Sequence, residues 1–241
     1  MREKNKIKYV FLKKGDVVAM KLRSKKLLCT FILLVLFSGL SAVKVIVLPE
    51  GGSITYFSLL FLWLVTYFFG FRYGLVVGAV IFAAARLGVN YLTGEHINWH
   101  PMAIILEYVL GCGVFCLGGI LEKTEGFLKK LRDFLEKLGV EQNSGLARGD
   151  IAESIKLKLG YVIGIFGQFI LYVISAVCFY TPDREGFLDN LIFCIIYDGS
   201  YLAIEGIFTL LLLFIPPVCE IIYNLKYVVT HEYEDETLLY F

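Results

Sequence analysis

Several kinds of chemistry are missing from this sequence of 241 residues. It has no GxxxxGK(S/T) stretch, the loop that cradles nucleotide phosphates, so any ATP chemistry must come from another chain. There is no CxxC pair either. The six cysteines (Cys29, Cys112, Cys116, Cys178, Cys194 and Cys219) stand inside apolar runs, which reads as small buried hydrophobes rather than disulfides or metal ligands. Only three histidines occur, two of them four residues apart in "EHINWH" as His96 and His100. That spacing suits a metal on a helix. Gly94 and Pro101 bracket the segment as a loop, however, and no carboxylate or cysteine set completes a site. Neither a nucleophile–base pair nor a metal set supports an enzyme, and no cofactor is expected.

Charge is scarce as well. Charged residues make up 19% of the chain, against 58% hydrophobic and 15% aromatic, with a mean hydropathy of +0.71. Soluble domains run about 45–50% apolar, and a chain of this size could not bury the excess. The solvent it is built for is lipid.

Apolar windows of membrane-spanning length fall near 27–47, 54–71, 73–93, 101–121, 160–181 and 191–217. Backbone groups find no water in hydrocarbon, so these spans should be helices. The fold class expected is all-α, an integral membrane bundle of six transmembrane helices. Its segments are a basic start (1–26), helices one to four (27–121), an insertion (122–159), helices five and six (160–222) and an acidic tail (223–241). In the insertion, Phe127, Leu128, Leu131, Phe134, Leu135 and Leu138 recur at helical spacing among Lys129, Lys130, Arg132 and Lys137. The pattern fits an amphipathic helix on the membrane surface, or equally a solvated helix packed on the bundle.

Lysine and arginine set the orientation. The basic start carries Arg2, Lys4, Lys6, Lys8, Lys13, Lys14, Lys21, Arg23, Lys25 and Lys26, while the PEGGS (49–53) and GEHINWHP (94–101) loops carry neither residue. Both termini are therefore expected in the cytoplasm and those two loops outside, with Arg184 the one dissenter. A cleaved signal peptide is the other reading of the start, and the length of the apolar run and the further spans argue against it. Lipid is one partner, and nucleic acid is not expected to be another.

Ionisable groups inside spans are costly and mark function by default. Glu107 in span four and Asp198 in span six each lie about six residues, on the order of 9 Å, below the outer surface. Tyr172 and Gln168 of span five approach the same level. Aromatic residues crowd it: Tyr108, Phe179, Tyr180, Phe193, Tyr197 and Tyr201, with Trp99 in the loop above. Carboxylates beside aromatic faces select a cation. Two alternatives stay open: Trp99 and Tyr180 as interfacial anchors, and Glu107 and Asp198 as structural partners of Arg86 or Lys44.

The segments "LPEGGSITYFSLLFLWL", "RYGLVVGAVIFAA", "HPMAIILEYVLGCGVFCLGGIL" and "YDGSYLAIEGI" together resemble the thiamine-specific substrate-binding subunit of energy-coupling factor (ECF) vitamin transporters. The resemblance runs over roughly residues 27–121 and 160–217. It implies that the loop at 48–55 lies over a bound vitamin, that Glu107 and Tyr108 are the family's Glu-Tyr pair, that the acid contacts the ligand, and that Tyr108 stacks on it. Tyr172 falls where the family has a ligand-contacting histidine, and Tyr180 where it has a stacking tryptophan. Asp198 replaces an asparagine, Phe193 a ligand-contacting tyrosine, and Trp99 stands two residues from Ile97, where some members have another tyrosine. The implied function is capture of thiamine or a related cationic vitamin outside the cell. The implied partners are a transmembrane coupling subunit and two ATPase subunits, in the plasma membrane of a bacterium. Small residues at Ser38/Ala42 and Gly74/Gly78 offer close-approach faces for the coupling subunit, and ordinary internal packing explains them equally well. The competing functions are an S-component for another vitamin, a small membrane enzyme, and a structural membrane protein.

Overall fold

The structure, a computed structural model, describes residues 24–48, 52–123, 148–180 and 186–230. Among the described residues, five helices are long and apolar enough to cross a membrane. We label these α1 (Ser24–Ala42), α3 (Phe71–Leu92), α4 (Pro101–Ile120), α5 (Arg148–Ser175) and α6 (Phe187–Leu213). Between α1 and α3 lie a two-stranded hairpin, β1 (Ile46–Val47) and β2 (Ser53–Ile54), and the helix α2 (Ser58–Phe69). A final helix, α7, runs over Pro216–Thr230 and so crosses the boundary at 222 that the sequence reading gave to the tail. The expected surface helix over 127–138 lies outside the described residues, as does the acidic stretch after Thr230.

The second expected span is the one that differs most. It begins four residues late, because residues 53–54 pair antiparallel with 46–47 (Ile46 opposite Ile54, Val47 opposite Ser53). The 12 residues of α2 extend about 18 Å, short of the ~30 Å hydrocarbon core. Apolar residues surround this helix on every side, as expected of one buried in protein rather than facing lipid. Leu59, Leu62, Trp63 and Val65 are almost wholly buried. Trp63 fixes α2 against α5 by donating from Nε1 to the Leu157 carbonyl at 3.0 Å. A Cβ at Gly160 would collide with the Trp63 ring, and one at Gly74 with Thr66. Gly74 and Gly78 therefore serve internal packing, Gly78 facing the Cys112 carbonyl and Leu62. Among the cysteines, Cys178 is exposed and the other five are buried.

Among the described residues, three helices carry a π-helical segment: Val77–Phe82 in α3, Ile105–Leu110 in α4, and Ala176–Tyr180, which continues α5. Such wide turns concentrate at functional sites. At the other end of α5, Glu153 ties three helices together. It accepts from Lys156 at 2.8 Å, from Lys226 of α7 at 2.7 Å and from the Tyr67 hydroxyl of α2 at 3.0 Å.

Candidate functional site

The π segment of α4 presents Glu107 and Tyr108 to a cavity enclosed by α3, α4, α5, α6 and the hairpin. Glu107 is held from α5 through both oxygens. Ser175 Oγ donates to Oε1 at 2.7 Å and the Tyr180 hydroxyl to Oε2 at 2.9 Å. Tyr180 in turn accepts from the Asn98 backbone N–H at 3.2 Å, so the α3–α4 loop helps to aim it. Tyr108 is buried, and its hydroxyl accepts from Asn90 Nδ2 at 3.2 Å.

Across the cavity, α6 supplies Asp198. Its side chain is buried, and Oδ1 accepts from the Tyr201 hydroxyl at 3.0 Å. The other oxygen, Oδ2, is buried and has no partner among the described residues. Phe193 and Tyr197 stack beside it with ring centroids 5.5 Å apart. From α5, Tyr172 faces the cavity, its hydroxyl accepting from Gln168 Nε2 at 2.9 Å. Gln168 itself is fully buried behind Tyr172 rather than lining the space.

Trp99 is the expected site residue that the structure places elsewhere. It is 61% exposed and lies edge-on to Tyr91, with ring centroids 6.2 Å apart, outside the cavity lining. The two loop histidines have separate surroundings. His96 reaches the cavity and meets the Tyr180 ring edge-on at 6.0 Å. His100 stacks on Phe179 at 4.7 Å and caps α4, its Nδ1 accepting from Met102 N–H at 3.3 Å.

Neither acid pairs with Lys44. That lysine is engaged by Glu95, Nζ to Oε2 at 2.9 Å, with both side chains more than nine-tenths buried. Arg86 lines the cavity with its guanidinium 5.5 Å from the Tyr172 ring centre. Glu205, which the sequence reading passed over, is buried one level below Asp198 on the same helix. It accepts from Ser58 Oγ at 2.8 Å, Thr55 Oγ1 at 3.0 Å and the Leu59 backbone N–H at 3.2 Å, and so anchors the start of α2. The rule that singled out Glu107 and Asp198 applies to it equally: an acid inside a span.

A sequence profile of the family described as thiamine transporter protein (Thia_YuaJ) matches residues 27–223. The chain belongs to that family. It is a transport protein of the bacterial cell membrane, multi-pass and not an enzyme. No curated protein matches it in sequence. In fold it is similar to a solved structure of ThiT from Listeria monocytogenes, with a TM-score of 0.54 and 18% identity, over 82% of this chain and 97% of that one. For this member of the thiamine transporter family the cavity is thus built from four long helices and a hairpin, with acids on facing helices and aromatic walls between them.

Proposed function

We propose that this chain is the substrate-binding S-component of an ECF-type importer, capturing thiamine or a closely related cationic vitamin from the extracellular side. The charge inventory of the cavity carries the reading. Among the described residues, three carboxylates line it (Glu95, Glu107 and Asp198), against one arginine, Arg86. Lys44 neutralises Glu95, which leaves Glu107 and Asp198 against Arg86, a net charge of about −1 when the acids are ionised. A monocation with flat rings complements that charge and the aromatic walls together. In this reading Glu107 and Asp198 face the cationic and amino groups, and Tyr108, Tyr172, Tyr180 and Phe193 pack on the rings. The strands β1 and β2 close over them. Both termini lie in the cytoplasm, and a coupling subunit with two ATPases supplies the energy that this chain, lacking a phosphate-binding loop, does not.

The test is calorimetric binding of thiamine to the purified protein, followed by uptake into liposomes. Binding by the isolated chain without concentrative uptake is the expected pair of results. Failure of the folded protein to bind thiamine, or uphill uptake by this chain alone, would end the reading.

A further inference from the structure

Arg86 sits about six residues from the end of α3, on the order of 9 Å along the helix, at the cavity wall. Its Nη1 is buried and has no hydrogen-bond partner among the described residues. No carboxylate there comes within ion-pair distance of the guanidinium either. The acids around it are already engaged: Glu107 by Ser175 and Tyr180, Glu95 by Lys44, and Glu205 by Ser58, Thr55 and Leu59. What Arg86 does touch is the face of Tyr172, and its polar neighbour Cys112 is a weak acceptor. A guanidinium cannot shed its proton to relieve this, and a buried donor without an acceptor is costly. An arginine kept only for structure would be expected to hold one of those carboxylates.

We infer that Arg86 is a specificity-determining residue that donates a hydrogen bond to a neutral acceptor atom on the ligand, opposite the cation-seeking Asp198. The inference rests on the thiamine-binding reading above. The cavity has two unmet demands of opposite kind, an acceptor at Asp198 Oδ2 and a donor at Arg86 Nη1. A ligand satisfies both if it carries an N–H or cationic group at one point and a nitrogen or oxygen lone pair at another. The acceptor should be neutral, because an added anion would leave a cavity that is already net negative uncompensated. Thiamine offers two such sources, a pyrimidine ring nitrogen and the hydroxyl of its hydroxyethyl tail.

Binding of three probes to the wild-type protein, Arg86→Met and Arg86→Lys distinguishes these sources. The probes are thiamine, an analogue with ethyl in place of hydroxyethyl, and an analogue in which a benzene ring that keeps the amino and methyl substituents replaces the pyrimidine ring. In the wild type, one analogue should bind about tenfold or more weaker than thiamine, and that analogue identifies the acceptor. Arg86→Met should bring thiamine down to the level of that analogue while leaving the analogue itself unchanged. Arg86→Lys, which keeps the charge on a different geometry, should recover part of the loss for thiamine alone. Equal losses for all three probes in folded Arg86→Met, or no loss for any, would overturn the inference while thiamine binding by the wild type still stands. Absence of thiamine binding by the folded wild type would instead remove the functional reading and this inference with it.

Discussion

The ring of Tyr201 lies directly against Gly52: a Cβ on that glycine would sit 3.1 Å from Tyr201 Cε1, and its φ of +82° is one that side-chain-bearing residues rarely adopt. Since the Tyr201 hydroxyl donates to Asp198, a single ring connects the hairpin to the acid on α6.

Gly52→Val should therefore weaken ligand binding with little effect on the bundle. A branched residue at positive φ costs about 1–3 kcal/mol; the free hairpin can shed that strain by opening, binding must restore it, and thiamine affinity should fall by about five- to a hundredfold. Gly94→Ala is the control. Its φ is also positive, at +70°, but nothing lies within 4 Å of the added carbon, and affinity should stay within about threefold. Calorimetry on both variants checks this.

The two acids differ in how the protein holds them, and their variants should differ too. Glu107→Gln puts an amide N–H where Ser175 or Tyr180 now donates. It removes the charge and disturbs one of those bonds, so thiamine affinity should drop by about ten- to a hundredfold. Asp198→Asn keeps its amide oxygen for Tyr201 and restores the residue of the resembled family, so its cost should be under about tenfold. Equal affinities for wild type and folded Glu107→Gln would remove Glu107 from the site.

Lys44 and Glu95 form a buried pair whose members come just after α1 and from the α3–α4 loop. Lys44→Met strands a carboxylate, and breaking one side of a buried pair costs about 3–5 kcal/mol. The double variant Lys44→Met with Glu95→Met leaves no orphan and should recover most of that stability. Melting temperatures of the two single variants and the double variant, treated as a cycle, measure the coupling.

Glu205 concerns the scaffold. Glu205→Ala removes the acceptor shared by Ser58, Thr55 and the Leu59 N–H at the start of α2, leaving the two hydroxyls only each other at 2.9 Å, which should destabilise the protein by about 2–4 kcal/mol. Glu205→Gln retains an acceptor oxygen and should cost less. A melting temperature for Glu205→Ala equal to that of wild type would show that the anchor contributes nothing.

Much of the site was legible from sequence because lipid penalises ionisable groups severely, so Glu107 and Asp198 stood out against their spans. The aromatic level around them followed from span depth alone. Pairing was not legible. Lys44 and Glu95 are 51 positions apart, and nothing local says that they meet, so Lys44 was weighed against the wrong acids. Trp99 is suggested by its place in the loop above the aromatic level, two residues from Ile97, but the loop turns its ring toward Tyr91 and solvent. The second span was misjudged in length because hydropathy does not separate a helix buried in protein from one that crosses a bilayer. Its true start depends on a hairpin that four paired residues define.

The wide turns in α3, α4 and α5 have a consequence for how this cavity varies between relatives. Each π turn holds one residue more than the α-helical turn it interrupts, which makes it equivalent to a single inserted position. Removing one residue from 105–110 would restore regular winding and rotate one half of α4 against the other by about 100°. The pair Glu107–Tyr108 would then leave the cavity while every apolar residue around it kept its hydropathy. The same holds for Tyr180 and the segment 176–180. What faces the ligand in a given relative thus depends both on which residue is present and on how many precede it in its helix, and loss of one codon changes the second at a stroke.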